Sequence, residues 1–112
     1  MSGKFLGEFE LHVMLAIAQL REGATGASIR SEIEERTGRT VAVGALYATL
    51  SRLGEKALLE FTVFPPRSAR GGRAKKCYRL TPAGRDAAAH SSTMLRRMMQ
   101  GVSLVLGSGD GS

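Results

Sequence analysis

The segment Phe61–Arg85 reads FTVFPPRSARGGRAKKCYRLTPAGR and contains seven basic residues but no acid. The formal net charge of the whole chain is +6, so the remaining residues sum to −1 and the positive charge is concentrated here. The runs Leu59–Phe64 and Lys76–Leu80 alternate their side chains in the manner of β-strands, and the loop Pro65–Lys75 joins them. An acid-free basic loop carried by a hairpin suits a polyanion with regularly spaced phosphates.

Three helices are predicted on the N-terminal side of this hairpin. Apolar residues at helical spacing place them at residues 8–20, 26–37 and 43–56. Thr25 is the type of residue expected to cap the second helix, and Gly38 suits the left-handed position after its end. The first helix has so little polar surface that we expect it to be buried on more than one side.

Two further elements complete the predicted fold. Arg39–Val41 is predicted as a brief strand before the third helix. Thr81 followed by Pro82 predicts the start of a fourth helix, which runs to about residue 106. The fold class is therefore mainly α with a small β-hairpin.

The third helix has two unlike faces. Leu46, Leu50 and Leu53 recur at i, i+4 and i+7 and form its buried seam. Small residues near a helix N-terminus allow the close approach that insertion into a DNA major groove requires. The opposite face is mostly small and nearly uncharged: Gly44, Ala45, Tyr47, Ala48, Ser51 and Arg52.

Composition limits the class of protein. The length of 112 residues supports one domain, and 43% hydrophobic residues indicate a folded globule. Cys77 is the sole cysteine, which favours a reducing cytoplasm. No signal peptide is visible, and no apolar run approaches the roughly 18–20 residues of a membrane span. The expected location is cytoplasmic, without a membrane partner.

Catalytic and metal sites lack their usual residues. There is no Ser/His/Asp arrangement, no glycine-rich phosphate motif after a strand and no pair of carboxylates in an apolar setting. His12 and His90 with one cysteine are too few ligands for a protein-only zinc site. The sequence therefore predicts neither an enzyme nor a metal or other cofactor.

Several motifs in combination resemble one known family. They are Phe9–Leu11, Gly26, the run GALYATLSRL at 44–53 and the run RGGRAKKCYRLTPAG at 70–84. Together they resemble the PadR family of transcriptional regulators over about residues 6–85. Three positions depart from the family pattern: Ala48 where proline is frequent, Gly54 where an acid is common, and Ala57 where glycine often ends the helix.

The resemblance implies a winged helix-turn-helix domain at residues 1–81, a dimerisation helix at 82–106 and a flexible tail at 107–112. It implies a dimeric repressor that binds double-stranded DNA and is relieved by a small-molecule effector or another cellular cue. The third helix would enter the major groove at a pseudo-palindromic operator, and the wing would reach the backbone or minor groove. The wing contributes five further DNA-binding candidates: Arg67, Arg70, Arg73, Lys75 and Lys76. The candidates for the homodimer interface are Val13, Ile17, Ala87, Met94, Met98, Val102 and Val105.

Other readings of the same residues stay open from the sequence. Tyr47 can be a packing tyrosine, and Arg52 can pair with Glu55 or Glu60 in place of DNA. The whole winged helix can serve as an adaptor module whose basic wing engages an acidic protein partner. RNA binding is disfavoured, because aromatic residues make up only 5% of the chain and give no stacking platform.

Overall fold

Four α-helices and one antiparallel hairpin make up the described part of the chain, residues 6–65 and 75–102 of a computed structural model. The predicted fold class is confirmed, and the first two helices and the first strand have the predicted bounds. A single 3-10 turn, Arg21–Gly23, follows the first helix. The elements are α1 (Glu8–Leu20), α2 (Gly26–Thr37), α3 (Val43–Glu55), β1 (Leu59–Phe64), β2 (Lys75–Leu80) and α4 (Pro82–Met99).

The core lies between α1, α2 and α3. Met14 and Ile17 of α1 are fully buried, together with Ile29 of α2 and Leu46 and Leu53 of α3. Burying one such side chain is worth about 1.5–3 kcal/mol, so these contacts fix how the three helices pack. The helical spacing of apolar residues is thus the pattern that positions α3 against the rest of the domain.

Side-chain caps set the ends of α2 and α4. The Thr25 hydroxyl accepts a hydrogen bond from the Ser28 N–H at 3.2 Å, and Gly38 ends α2 with a φ of 75°. The Thr81 hydroxyl accepts from the Gly84 N–H at 2.9 Å. Each cap satisfies a backbone group that the helix leaves unpaired, as the sequence predicts.

The hairpin is bound to the helical part of the domain by its second strand. Leu59 pairs with Leu80 and Phe61 with Tyr78 across the two strands. On the other edge of β2, the Tyr78 N–H donates to the Ala24 carbonyl at 2.8 Å. Both edges of β2 are therefore in use, and the hairpin is fixed against the turn that precedes α2.

The predicted strand at Arg39–Val41 is wrong: within residues 6–65, no strand precedes β1. Instead, two side chains of α2 form hydrogen bonds with the backbone carbonyl and N–H of Val41. Arg30 Nε donates to the Val41 carbonyl at 2.8 Å, and the Val41 N–H donates to a Glu34 carboxylate oxygen at 2.7 Å. Because both polar groups are already satisfied, the segment needs no strand partner.

The C-terminal helix is shorter than predicted. It ends at Met99, where the Gln100 N–H donates to the Arg96 carbonyl, and Gly101 then adopts a φ of 80°. A left-handed glycine just past the last turn is a common helix stop. The rest of the predicted helix from residue 103 on, Val105 included, and the 107–112 tail lie outside the described residues.

Ala57 links α3 to the hairpin in an unfavourable backbone conformation, with a φ of 62°. An L-residue with a side chain pays for this left-handed geometry, whereas glycine does not. We expect Ala57→Gly to raise the free energy of unfolding by about 0.5–1 kcal/mol. Urea denaturation measures the change. Ala89→Gly, inside α4, is the control and should lower stability by about 1 kcal/mol; a loss of stability in both variants would contradict the expectation.

Candidate nucleic-acid interface

One face of α3 is buried and the other is open. Leu46, Thr49, Leu50 and Leu53 are buried, at i, i+3, i+4 and i+7. The opposite face exposes mostly small residues, and its one acid, Glu55, lies in the last turn of the helix. The structure places all six predicted DNA-binding residues of this helix on that surface: Gly44, Ala45, Tyr47, Ala48, Ser51 and Arg52.

Tyr47 packs across the start of α2. A side-chain carbon added to Gly26 would collide with the Tyr47 hydroxyl, so only glycine leaves room for the ring. Tyr47 is nevertheless 47% exposed. The two readings of this tyrosine are thus compatible, because its hydroxyl end packs on α2 while about half of the residue stays accessible to a partner.

The hairpin also approaches the start of α2, through Tyr78 of β2. Tyr78 is buried, and this burial raises the pKa of its phenol, with a further contribution from the nearby Tyr47. The backbone of Tyr78 is bound to Ala24, two residues before the glycine that Tyr47 covers. Tyr47 of the exposed face of α3 and Tyr78 of the hairpin therefore meet at Ala24–Gly26, which makes the two elements neighbours at this point.

Aromatic and basic side chains lie next to one another along one face of the hairpin. The Phe61 ring lies 5.8 Å from the Tyr78 ring, centroid to centroid, and the Lys76 ammonium lies 4.7 Å from the centroid of Phe61. Lys75 and Lys76 are exposed, as a surface for phosphates requires. The other predicted wing residues, Arg67, Arg70 and Arg73, fall within 66–74, outside the described residues.

Arg52 has a partner that the sequence does not predict. Its Nε lies 3.3 Å from a carboxylate oxygen of Glu10 in α1, and Lys56 Nζ lies at the same distance from that oxygen. Pairing with Glu55 or Glu60 is therefore wrong, and Glu60 pairs with Arg79 at 3.0 Å. Arg52 remains about half exposed, so the ion pair does not withdraw it from the open face of α3.

Most of the sequence matches one family. A family model described as "Transcriptional regulator PadR-like family" matches residues 14–90. The chain belongs to the PadR-like family of transcriptional regulators. A search of curated proteins found no match.

Three solved structures share the fold of this chain. A PadR-like transcription factor from Bacteroides fragilis is 24% identical with a TM-score of 0.69, covering 87% of this chain and 88% of that one. RosR of H. salinarum is 26% identical with a TM-score of 0.66, covering 86% and 79%. Bacillus subtilis PadR, solved in complex with operator DNA, is 21% identical with a TM-score of 0.60, covering 74% of this chain but 45% of that one. The winged helix-turn-helix fold is thereby confirmed.

Glu10 joins α1 to α3 in this PadR-like domain. Burial is the largest influence and raises the pKa of Glu10, but the Gly7 N–H, Lys56 and Arg52 together outweigh it. The pKa of Glu10 therefore lies below its ordinary value of 4.5. A carboxyl whose pKa is lowered by folding stabilises the protein above the unfolded-state pKa, and this stability is lost as the pH falls through the folded-state pKa.

We expect Glu10→Gln to lower the free energy of unfolding by about 0.5–2 kcal/mol at pH 7, because two partly exposed cations lose their shared carboxylate. The difference from the wild type should shrink as the pH falls below 4.5. Urea denaturation at pH 7 and pH 3 measures both effects. Glu8→Gln removes the same charge from the same helix turn, but from an exposed residue, and should change little. A deficit independent of pH would contradict the ion-pair explanation.

The predicted dimer residues divide into buried and exposed sets. Val13 is 0% and Ile17 2% exposed within the single chain, so both belong to its own core and have no surface for a partner. Ala87 is likewise buried, and Val102 is half-buried. Met94 and Met98 are exposed, as an interface requires. We therefore drop Val13, Ile17 and Ala87 from the expected interface.

Two further residues of α4, not among the predicted interface residues, are exposed and apolar. Leu95 and Met99 lie one position after Met94 and Met98, and all four are exposed on one side of the helix. Their spacing continues the line of Ala87 and Ala88, which are buried in the domain. The sequence pattern already indicates this face, because apolar residues at i, i+1, i+4 and i+5 lie on one broad side of a helix.

Neither a metal site nor a membrane-spanning helix is found in the described residues. Across 6–65 and 75–102, no group of three or more His, Cys, Asp or Glu could hold a metal ion. In the same residues, no helix combines the length and apolarity needed to cross a membrane. Cys77 is half-buried in β2.

Proposed function

We propose that this protein is a sequence-specific regulator that binds double-stranded DNA as a homodimer and represses transcription by occupying a pseudo-palindromic operator. The observation that carries the proposal is the meeting of the open face of α3 and the hairpin at Ala24–Gly26. Because the two elements are neighbours at this point, both can contact one duplex at once. The operator complex of Bacillus subtilis PadR supports the same use of this fold.

In the proposed complex, α3 and the hairpin would have different roles in DNA binding. On α3, Ala45, Ala48 and Ser51 are small and exposed, so the helix can come close to base edges in the major groove. The hairpin and its basic loop would neutralise phosphates, a contact that adds affinity without reading sequence. Tyr47 lies between them and would contact a phosphate at the edge of the groove.

A second copy of the chain would complete the proposed DNA-binding site. The apolar face of α4 is covered by the domain near Ala87 and Ala88 but continues uncovered through Met94 and Met98. Exposed apolar faces of this kind mark protein contacts. A symmetric pair would place two α3 helices in successive major grooves, about 34 Å apart.

Selection of bound fragments from the native genome, followed by titration of the selected duplex, tests the proposal. We expect specific affinities in the range of about 10⁻⁸ to 10⁻¹¹ M and much weaker binding to a shuffled duplex of the same composition. Equal, weak and salt-labile binding to both duplexes would contradict sequence-specific regulation. It would favour the adaptor alternative.

Arg73→Ala tests the role of the wing. We expect weaker binding to every duplex and a shallower slope of log affinity against log salt, by about 0.9 for each phosphate that the protein no longer neutralises. Arg79→Ala is the matched control, because Arg79 already pairs with Glu60 at 3.0 Å and should contribute little. A change confined to the specific duplex would contradict a phosphate-binding wing.

A further inference from the structure

Phe61 is an exposed aromatic residue with no place in the core. It is 49% exposed on β1, yet its ring has neighbours on the same face of the hairpin. The buried Tyr78 ring is tilted 57° to it at 5.8 Å, and the Lys76 ammonium lies 4.7 Å from its centroid. Tyr78 therefore supports the ring, and the ring in turn supports a cation.

We propose that Phe61 is a positioning residue, which holds the Lys76 ammonium where a DNA phosphate will meet it. The inference rests on the proposed DNA-binding function. A lysine side chain loses rotamer freedom when it is fixed on a phosphate, and a cation–π contact restricts that freedom in advance. The ammonium has three N–H donors, so contact with the ring leaves donors for the phosphate.

The opposite face of the hairpin shows why a ring, not an acid, suits this position. There Arg79 is held by Glu60 and by the Thr62 hydroxyl, each at 3.0 Å. A carboxylate orients its cation but also neutralises it and competes with phosphate. An aromatic ring orients the cation and leaves its charge intact. Among the described residues, no acid lies within ion-pair distance of Lys76, so this cation keeps its charge for a polyanion.

Phe61→Leu and Phe61→Tyr separate the ring from simple apolar bulk. A phosphate contact does not depend on sequence, so a duplex of arbitrary sequence at low salt serves as the probe. We expect Phe61→Leu to weaken binding about two- to five-fold, the size of an exposed cation–π contact, whereas Phe61→Tyr keeps wild-type affinity. Equal affinities for the wild type and both variants would overturn the proposal.

A double-mutant cycle with Lys76→Met distinguishes positioning from direct contact. If Phe61 acts through Lys76, Phe61→Leu costs nothing further once the ammonium is gone. The same loss in both backgrounds would overturn the proposal, because Phe61 would then act on DNA or on the fold directly. Arg79→Met is the matched control and should leave the effect of Phe61→Leu unchanged.

A measurement on the free protein separates this inference from the proposed function. The Lys76 ε-methylene protons should show a ring-current shift in the NMR spectrum of the wild type, which Phe61→Leu removes and Phe61→Tyr retains. If the shift is present but the wild type binds no duplex, the DNA-binding function fails and the phosphate role with it. If the wild type binds DNA and the shift is absent, only the positioning role is overturned.

Discussion

Ala48→Glu should abolish operator binding while leaving the domain folded, with a loss of affinity of more than about 100-fold. Ala48 is exposed at the middle of the open face of α3, where the helix would enter the major groove. A carboxylate there meets the negative potential of the duplex, and like-charge juxtaposition in an interface costs several kcal/mol. A dimer carries the change twice, once in each half-site. Fluorescence anisotropy with the selected duplex measures the loss.

The matched control for this variant is Ala89→Glu. Ala89 is also an exposed helical alanine, but it lies on α4, away from the open face of α3. Both variants change the net charge by the same amount and exchange one good helix former for another, so their thermal unfolding should stay close to that of the wild type. Equal losses of DNA affinity in both would mean that overall charge, not the face of α3, governs binding.

Most of the fold follows from local sequence patterns. The caps at Thr25 and Thr81, the left-handed Gly38 and the seam of Leu46, Leu50 and Leu53 all depend on neighbours within a few residues. Such local preferences agree with the final packing here. For that reason α1 and α2 have the predicted bounds, and α3 differs by one residue at its end.

The errors arise where residues distant in sequence decide the outcome. The local sequence pattern predicted Val41 as a strand residue. That pattern could not show that Arg30 and Glu34 would hydrogen-bond to the backbone carbonyl and N–H of Val41. The partner of Arg52 lies 42 residues away, at Glu10. Neither contact has a short-range signal, so tertiary packing overrides the local interpretation.

The candidate site was predictable as a set of residues but not as an arrangement. The open face of α3 follows from the buried seam, since each helical face implies the other. That Tyr47 would reach Gly26, and that Tyr78 would be bound to Ala24, needs the folded chain. Phe61 was predicted only as a strand residue that alternates with Glu60 and Thr62, and its contacts with Tyr78 and Lys76 likewise need the folded chain.

Leu95→Glu should convert the proposed homodimer to a monomer. Leu95 is 53% exposed at the centre of the apolar face of α4, between Met94 and Met98, which is itself 75% exposed. In a symmetric pair its carboxylate would be removed from water among apolar side chains, a change that costs more than the apolar contact it replaces. Sedimentation equilibrium at micromolar concentration measures the mass. Because about half of Leu95 is already exposed, its substitution should leave the fold of a single chain intact.

The loss of the dimer should also weaken operator binding by about 100-fold or more, since two linked half-sites bind far more tightly than one. Binding to a duplex with a single half-site should hardly change, because the α3 face and the hairpin of each chain are untouched. Ala89→Glu again serves as the control, because Ala89 lies on the side of α4 opposite the apolar face. A Leu95→Glu variant that remains dimeric would place the interface on another surface. One that is monomeric yet binds the full operator normally would show that each half-site is occupied independently.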